Sequence, residues 1–135
     1  MNLFEMFDEQ KELTLIDALR DFLPIAVNHL HIKTLPKISL SRNVETEQLS
    51  SFGKFDGQES TIQVSVENRH PNDILRTLAH ELTHYAQNEG NELDSSSWET
   101  GSAAENDANA IAGVIMRKFN SKYPHYITLN PVILP

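Results

Sequence analysis

The chain has no cysteine at all. Disulfides, thiolate metal sites and thiol nucleophiles are thereby excluded, and the composition suits a reducing compartment. Long hydrophobic runs are also missing: no stretch approaches the roughly 20 apolar residues of a membrane span. The opening residues, MNLFEMFDEQKEL, carry acidic groups early and do not read as a signal peptide. Basic residues are scarce, 11 Lys and Arg against 19 Asp and Glu, for a formal net charge of -8. An acidic surface repels phosphate backbones and ill suits a basic helix lying on a bilayer, so neither nucleic acid nor membrane is expected as a partner. A cytoplasmic location is the corresponding expectation. With only 5 glycines and 6 prolines, there is no linker-like or low-complexity tract, and residues 1–135 are expected to form a single domain.

What is present reads as an α+β order. Apolar residues at helical spacing, Leu15, Ala18, Leu19, Phe22, Leu23, Ile25 and Ala26, predict an amphipathic helix over about 13–31, which Pro24 should kink or split. His29 and His31 sit where a helix C-terminus favours histidine. Three short strands follow, at about 36–41, 51–55 and 61–66. The last, TIQVSV, alternates cleanly, and Asp56-Gly57 signals a hairpin between the second and third. The expected sheet is small and mostly antiparallel. A second helix is predicted over about 71–88, with Pro71 in its first turn, Asp73 at its positive end and Gly90 as its stop. His70 reads as a residue that starts this helix. A third helix is predicted over about 102–119, after a polar loop containing Trp98 that is a candidate border of a cleft. The tail YPHYITLNPVILP, with three prolines, reads as irregular or extended.

The chemistry lies in the second helix, where residues 80–84 read His-Glu-Leu-Thr-His. Histidines at i and i+4 project from one face, one turn apart, so both imidazoles reach one ion, and the glutamate between them can act on water without ligating. At about 100° per residue, Ile74, Leu75, Leu78, Ala79, Leu82 and Ala86 form one stripe, and His80 and His84 fall outside it. A catalytic zinc site takes three protein ligands and keeps one position for water. Downstream candidates are Glu92, Asp94, Glu99, Glu105, Asp107 and His125. Glu105 borders the apolar flank of the third helix (Ala108, Ala112, Ile115, Phe119), where an unpartnered carboxylate is costly and a metal would relieve it. Asp107 should point outward. Ala104, Ala108 and Ala112 would let this helix approach the histidine helix closely. Asn109, one turn after Glu105, is a candidate to accept a hydrogen bond from the far nitrogen of a ligating histidine.

These residues resemble the zincin metallopeptidases, and within them the gluzincin pattern, in which HELTH is followed by a helical glutamate. The stretch from Glu105 to Ala112 looks like the E-x-E-A-N-x-F-A motif of the ImmA/IrrE-type peptidases, which maps the third ligand onto Glu105. Asp107 replaces that motif's second glutamate, and Thr83 stands where glycine is common. The opening MNLFEMF and the stretch ILRTLAHELTHYAQ are similar to small zincin-like proteins of tailed bacteriophages, which would place the chain in a host cytoplasm.

The resemblance implies a minimal zincin-like fold and a zinc peptidase acting on peptide or protein. One zinc ion would be held by His80, His84 and Glu105, with Glu81 as general base. Tyr85, Tyr123, His125 and Tyr126 are the candidates for stabilising the oxyanion. TIQVSV is expected to offer a sheet edge to an extended substrate. The rival expectations are a zinc-containing binding or structural protein with little turnover, such as a phage regulatory or virion component, and a chance motif that holds no metal.

Overall fold

A computed structural model describes residues 14–42, 52–91 and 101–134. The expectations for the N-terminal 13 residues, for Trp98 and for Glu92, Asp94 and Glu99 lie outside the described residues. Among the described residues the architecture is α+β, with three helices and one three-stranded sheet in the order helix α1 (Leu15–Leu30), strands β1 (Lys37–Ser41), β2 (Gly53–Asp56) and β3 (Thr61–Ser65), then helices α2 (Pro71–Asn88) and α3 (Gly101–Lys122) and a 3-10 turn over Pro124–Thr128. No helix among the described residues is long and apolar enough to cross a membrane.

Helix α1 starts in a capping box. The Thr14 hydroxyl accepts from the Asp17 N–H, and the Asp17 carboxylate accepts from the Thr14 N–H. Its buried stripe, Ala18, Phe22, Ala26 and Leu30, repeats every fourth residue. Pro24 does not split the helix; it sits exposed on the outer face, where a missing N–H leaves only a carbonyl open to water. His31 closes the helix in a left-handed conformation, φ 56°, with the Ile32 N–H on the Val27 carbonyl. His29 faces Lys118, with its Nδ1 2.8 Å from the Lys118 ammonium.

The sheet order is β1-β3-β2. It is mixed rather than mostly antiparallel: β2 and β3 form the expected antiparallel hairpin, whereas β1 runs parallel to β3, pairing Lys37 with Thr61 through Ser41 with Ser65. Alternation identifies a strand but does not encode the direction of its neighbour. The central place of β3 also overturns TIQVSV as an open edge, because both its sides are paired. Ile62 and Val64 are fully buried against the helices.

Helix α2 is the pivot, touching β2 and β3 on one side and α1 and α3 on the other. Ile74, Leu75, Leu78, Ala79, Leu82 and Ala86 are all fully buried. Pro71 occupies the first turn, and the His70 Nδ1 caps the helix by accepting from the Asn72 N–H. With Nδ1 so used, the His70 Nε2–H donates to the Ile127 carbonyl. The other end closes as a Schellman motif, with Gly90 at φ 75° and the Asn91 N–H on the Ala86 carbonyl. Helix α3 lies antiparallel to α2, with Ala104 beside Gln87 and Gly113 beside Arg76.

The tail is more ordered than an irregular terminus. Its 3-10 turn buries Tyr126, and beyond the turn Val132 exchanges backbone hydrogen bonds with the loop before α2, donating to Arg69 and accepting from Asn68. Prolines exclude a strand or α-helix there, but they leave the aromatic residues free to pack.

Candidate metal centre

His80 and His84 emerge from the middle of α2 on the side turned from the core, with side chains 19% and 21% exposed. The first turns of α3 bring Glu105 opposite them. The carboxylate bridges the two rings, Oε1 lying 2.6 Å from the His80 Nε2 and Oε2 lying 3.0 Å from the His84 Nε2. The two Nε2 atoms are 3.1 Å apart. Among the described residues these three form the one group of acid and imidazole side chains whose ligand atoms converge closely enough to share an ion.

The donor set itself argues for a cation. Two imidazole nitrogens facing each other and a carboxylate repel unless a proton or a metal lies among them. A tetrahedral ion with bonds of about 2.0–2.1 Å spaces its ligand atoms by about 3.3 Å. The His84–Glu105 and His80–His84 contacts, 3.0 and 3.1 Å, are within a few tenths of an ångström of that figure, whereas the His80–Glu105 contact, 2.6 Å, is shorter and has the length of a hydrogen bond. Glu105 is 54% exposed, so the point of convergence opens to solvent.

The orientation of His84 is set by a residue that the sequence reading passed over. Gln87 donates its side-chain N–H to the Ala104 carbonyl, 3.2 Å away. That assigns its Oε1 as the acceptor facing the His84 Nδ1 at 2.9 Å, so Nδ1 carries the proton and Nε2 presents its lone pair. This is the role expected of Asn109. Asn109 instead sits exposed on α3 and lines the cleft, without a hydrogen bond to either imidazole. A glutamine three residues after the second histidine shares its face, and that was the available signal.

Glu81 lies beside the group but does not join it. It is 8% exposed, under strand β2. Burial pushes its carboxyl above the usual range, the Glu105 charge adds to this, and His80 and His84 oppose it. The approach of β2 depends on Gly53: a Cβ there would lie 2.6 Å from the Thr77 methyl, 3.0 Å from the Glu81 Cγ and 3.2 Å from its Oε2. A glycine inside a predicted strand marks such an approach, and it went unread. The cleft straddles Glu81. One lobe is lined by Phe55, His84, Gln87 and Asn88, the other by Phe52, Gly53, Arg76, Thr77, His80 and Asn109. A separate concavity is bounded by Thr14, Leu15, Pro71, Thr128, Leu129, Asn130 and Val132, with no titratable side chain among the described residues of its lining.

The aromatic candidates do not reach this cleft. The Tyr85 hydroxyl donates to the Thr34 carbonyl at 2.6 Å. The Tyr126 hydroxyl donates to the Asp21 carboxylate, and its ring stacks on Phe119. Tyr123 and His125 pack around Tyr126. Phe119 is 14 residues along α3 from Glu105, about 21 Å at 1.5 Å per residue. Asp107 is only half-exposed and keeps one buried carboxylate oxygen without a hydrogen-bond partner, rather than pointing fully outward. Thr83 is fully buried, with its hydroxyl on the Ala79 carbonyl at 2.8 Å, so the position that differs from the glycine-bearing motif faces the core. Comparison of the chain with protein-family models, with curated proteins and with solved structures found no match to any of them.

Proposed function

We propose that the chain is a zinc-dependent peptidase. The observation that carries this reading is the convergence of His80, His84 and Glu105 beside a buried carboxyl, Glu81, that stays outside the ligand group. Two imidazole nitrogens and one carboxylate oxygen, with no sulfur, make a donor set suited to catalytic zinc. When bound, the ion supplies Lewis acidity toward a carbonyl and acidifies water. Glu81, buried beside the ligand group, takes the proton from the attacking water and returns it to the leaving amine. Gln87 keeps the His84 ring in its ligating tautomer. The α+β arrangement, with the motif helix packed on a small sheet, is compatible with the zincin resemblance.

The test is metal analysis of protein purified without an affinity chelate, together with cleavage of a broad peptide library. About one zinc per chain is expected, with cleavage that Glu81→Gln removes while the metal stays. Because a ligating imidazole cannot hold a proton on the same nitrogen, the metal should be released on acidification. Retention of zinc and activity in Glu81→Gln would remove Glu81 from the mechanism.

One observation favours a second reading, a zinc-containing binding protein with little turnover. The hydroxyls of Tyr85 and Tyr126 are bonded elsewhere, and the aromatic cluster around Tyr126 stands at the far end of α3. Stoichiometric zinc without cleavage of any library member would decide for that reading.

A further inference from the structure

Two arginines face each other across the seam between α2 and α3, beyond the metal group. Arg76 lies one turn before His80, so Arg76, His80 and His84 form a row along α2. Glu105, Asn109, Gly113 and Arg117 form the facing row on the antiparallel α3. The Cβ that Gly113 lacks would stand 3.5 Å from an Arg117 guanidinium nitrogen and 3.9 Å from one of Arg76, so both guanidinium groups reach the notch left by that glycine. Both side chains are exposed, and among the described residues neither makes a hydrogen bond or an ion pair. Two adjacent cations without an acid partner among the described residues are held against their mutual repulsion. Arg76 shares the cleft lobe that contains His80, Glu81 and Asn109.

We propose that Arg76 and Arg117 form the carboxylate-binding subsite of this cleft and select peptides carrying an anion on one side of the bond to be cut. The proposal rests on the peptidase reading and names its substrate class. A carboxylate accepts from two guanidinium forks and cancels the charge that now sets them against each other. Gly113 is eight residues from Glu105, about 12 Å along α3. An extended peptide advances about 3.3 Å per residue, so the anion falls three or four residues from the bond. An acidic side chain or a free chain end supplies the same group.

The experiment measures binding by the full-length chain carrying Glu81→Gln, which prevents turnover. The probes are N-acetylated, C-terminally amidated octapeptides of alanine and serine, with one glutamate or one glutamine scanned through the positions, and the neutral peptide with a free C-terminal carboxylate. The expected result is binding about tenfold tighter for a carboxylate-bearing probe than for its neutral partner. That preference should fall to about unity when Arg76→Gln and Arg117→Gln are combined, and should weaken between about 50 and 500 mM salt. Glutamate probes alone showing it assign an acidic side chain; the free-ended probe alone assigns the chain terminus. Repetition after EDTA treatment separates this subsite from the metal, since the carboxylate preference should survive even if zinc binding or hydrolysis is never found. Equal binding of charged and neutral probes, a preference unchanged in the double variant, or no measurable binding at about millimolar probe would overturn the proposal.

Discussion

The two ends of the α2–α3 pair handle polar groups in opposite ways. At the end near Phe119, rings from α1, α3 and the tail close over one another. Phe119 meets Phe22 edge-on at 5.7 Å and stacks on Tyr126 at 5.6 Å, and the buried tyrosine hydroxyl has an acceptor in Asp21. At the Glu105 end, two imidazoles and a carboxylate converge beside a buried carboxyl and face a cleft. The same pair of helices thus has, near one end, a buried hydroxyl satisfied by the protein and, near the other, a ligand group that waits for something from solution. Such unmet polar groups lower stability and are tolerated where they serve a ligand.

The largest expected effect tests that contrast directly. Glu81→Gln should reduce cleavage by about 10²–10⁴-fold, with unchanged zinc content by metal analysis and no drop in melting temperature. The mirror experiment is Phe119→Ala, expected to cost about 3–5 kcal/mol in urea unfolding while folded protein keeps its zinc stoichiometry. If that substitution emptied the metal site of the folded chain, the two ends would not be independent.

Tyr126→Phe should cost about 1.5–3 kcal/mol at pH 8, the usual worth of a hydrogen bond to a charged group. Burial first, and then the bond to Asp21, raise the Tyr126 hydroxyl well above its ordinary value of about 10. A raised folded-state value means the native chain binds more protons than the unfolded chain in the alkaline range. The stabilisation is therefore complete below about pH 10 and is lost as pH rises beyond it. The gap between wild type and Tyr126→Phe should accordingly narrow from pH 9 to 11 in urea titrations; a widening gap would contradict the assigned cause. The smallest effect on stability is expected at Gly53→Ala, about 1–3 kcal/mol from the forced separation of β2 and α2. Its sharper readout is activity, because the added methyl meets Glu81. Unchanged cleavage kinetics would show that the Glu81 position does not depend on β2.

Much of this arrangement was legible in one dimension. The span of α2 follows from an apolar stripe punctuated by Pro71 and Gly90, and the position of Glu105 on its helix follows from the same 3.6-residue period. Failures cluster where a partner comes from another element. The wheel put Asn109 on the correct side of α3 but could not see that Gln87 is nearer the His84 ring. Alternation marked TIQVSV as a strand, yet its place between β1 and β2 depends on which edges the connections reach. Tyr85, Tyr123, His125 and Tyr126 have the right chemistry for an oxyanion donor, and their positions exclude them.

Periodicity and residue type, properties of a single helix or strand, were enough to specify which side chains share a face: His80 with His84, Glu105 with Asn109, Phe22 with Ala18 and Ala26. Packing between segments alone settled the parallel β1–β3 pairing, the glycine contact over Glu81, the Gln87 link to His84 and the meeting of Arg76 with Arg117. The reason is range. Helical and strand geometry act over a few residues, whereas each of these contacts spans a loop or a helix seam whose closure is decided by how the whole apolar surface is buried.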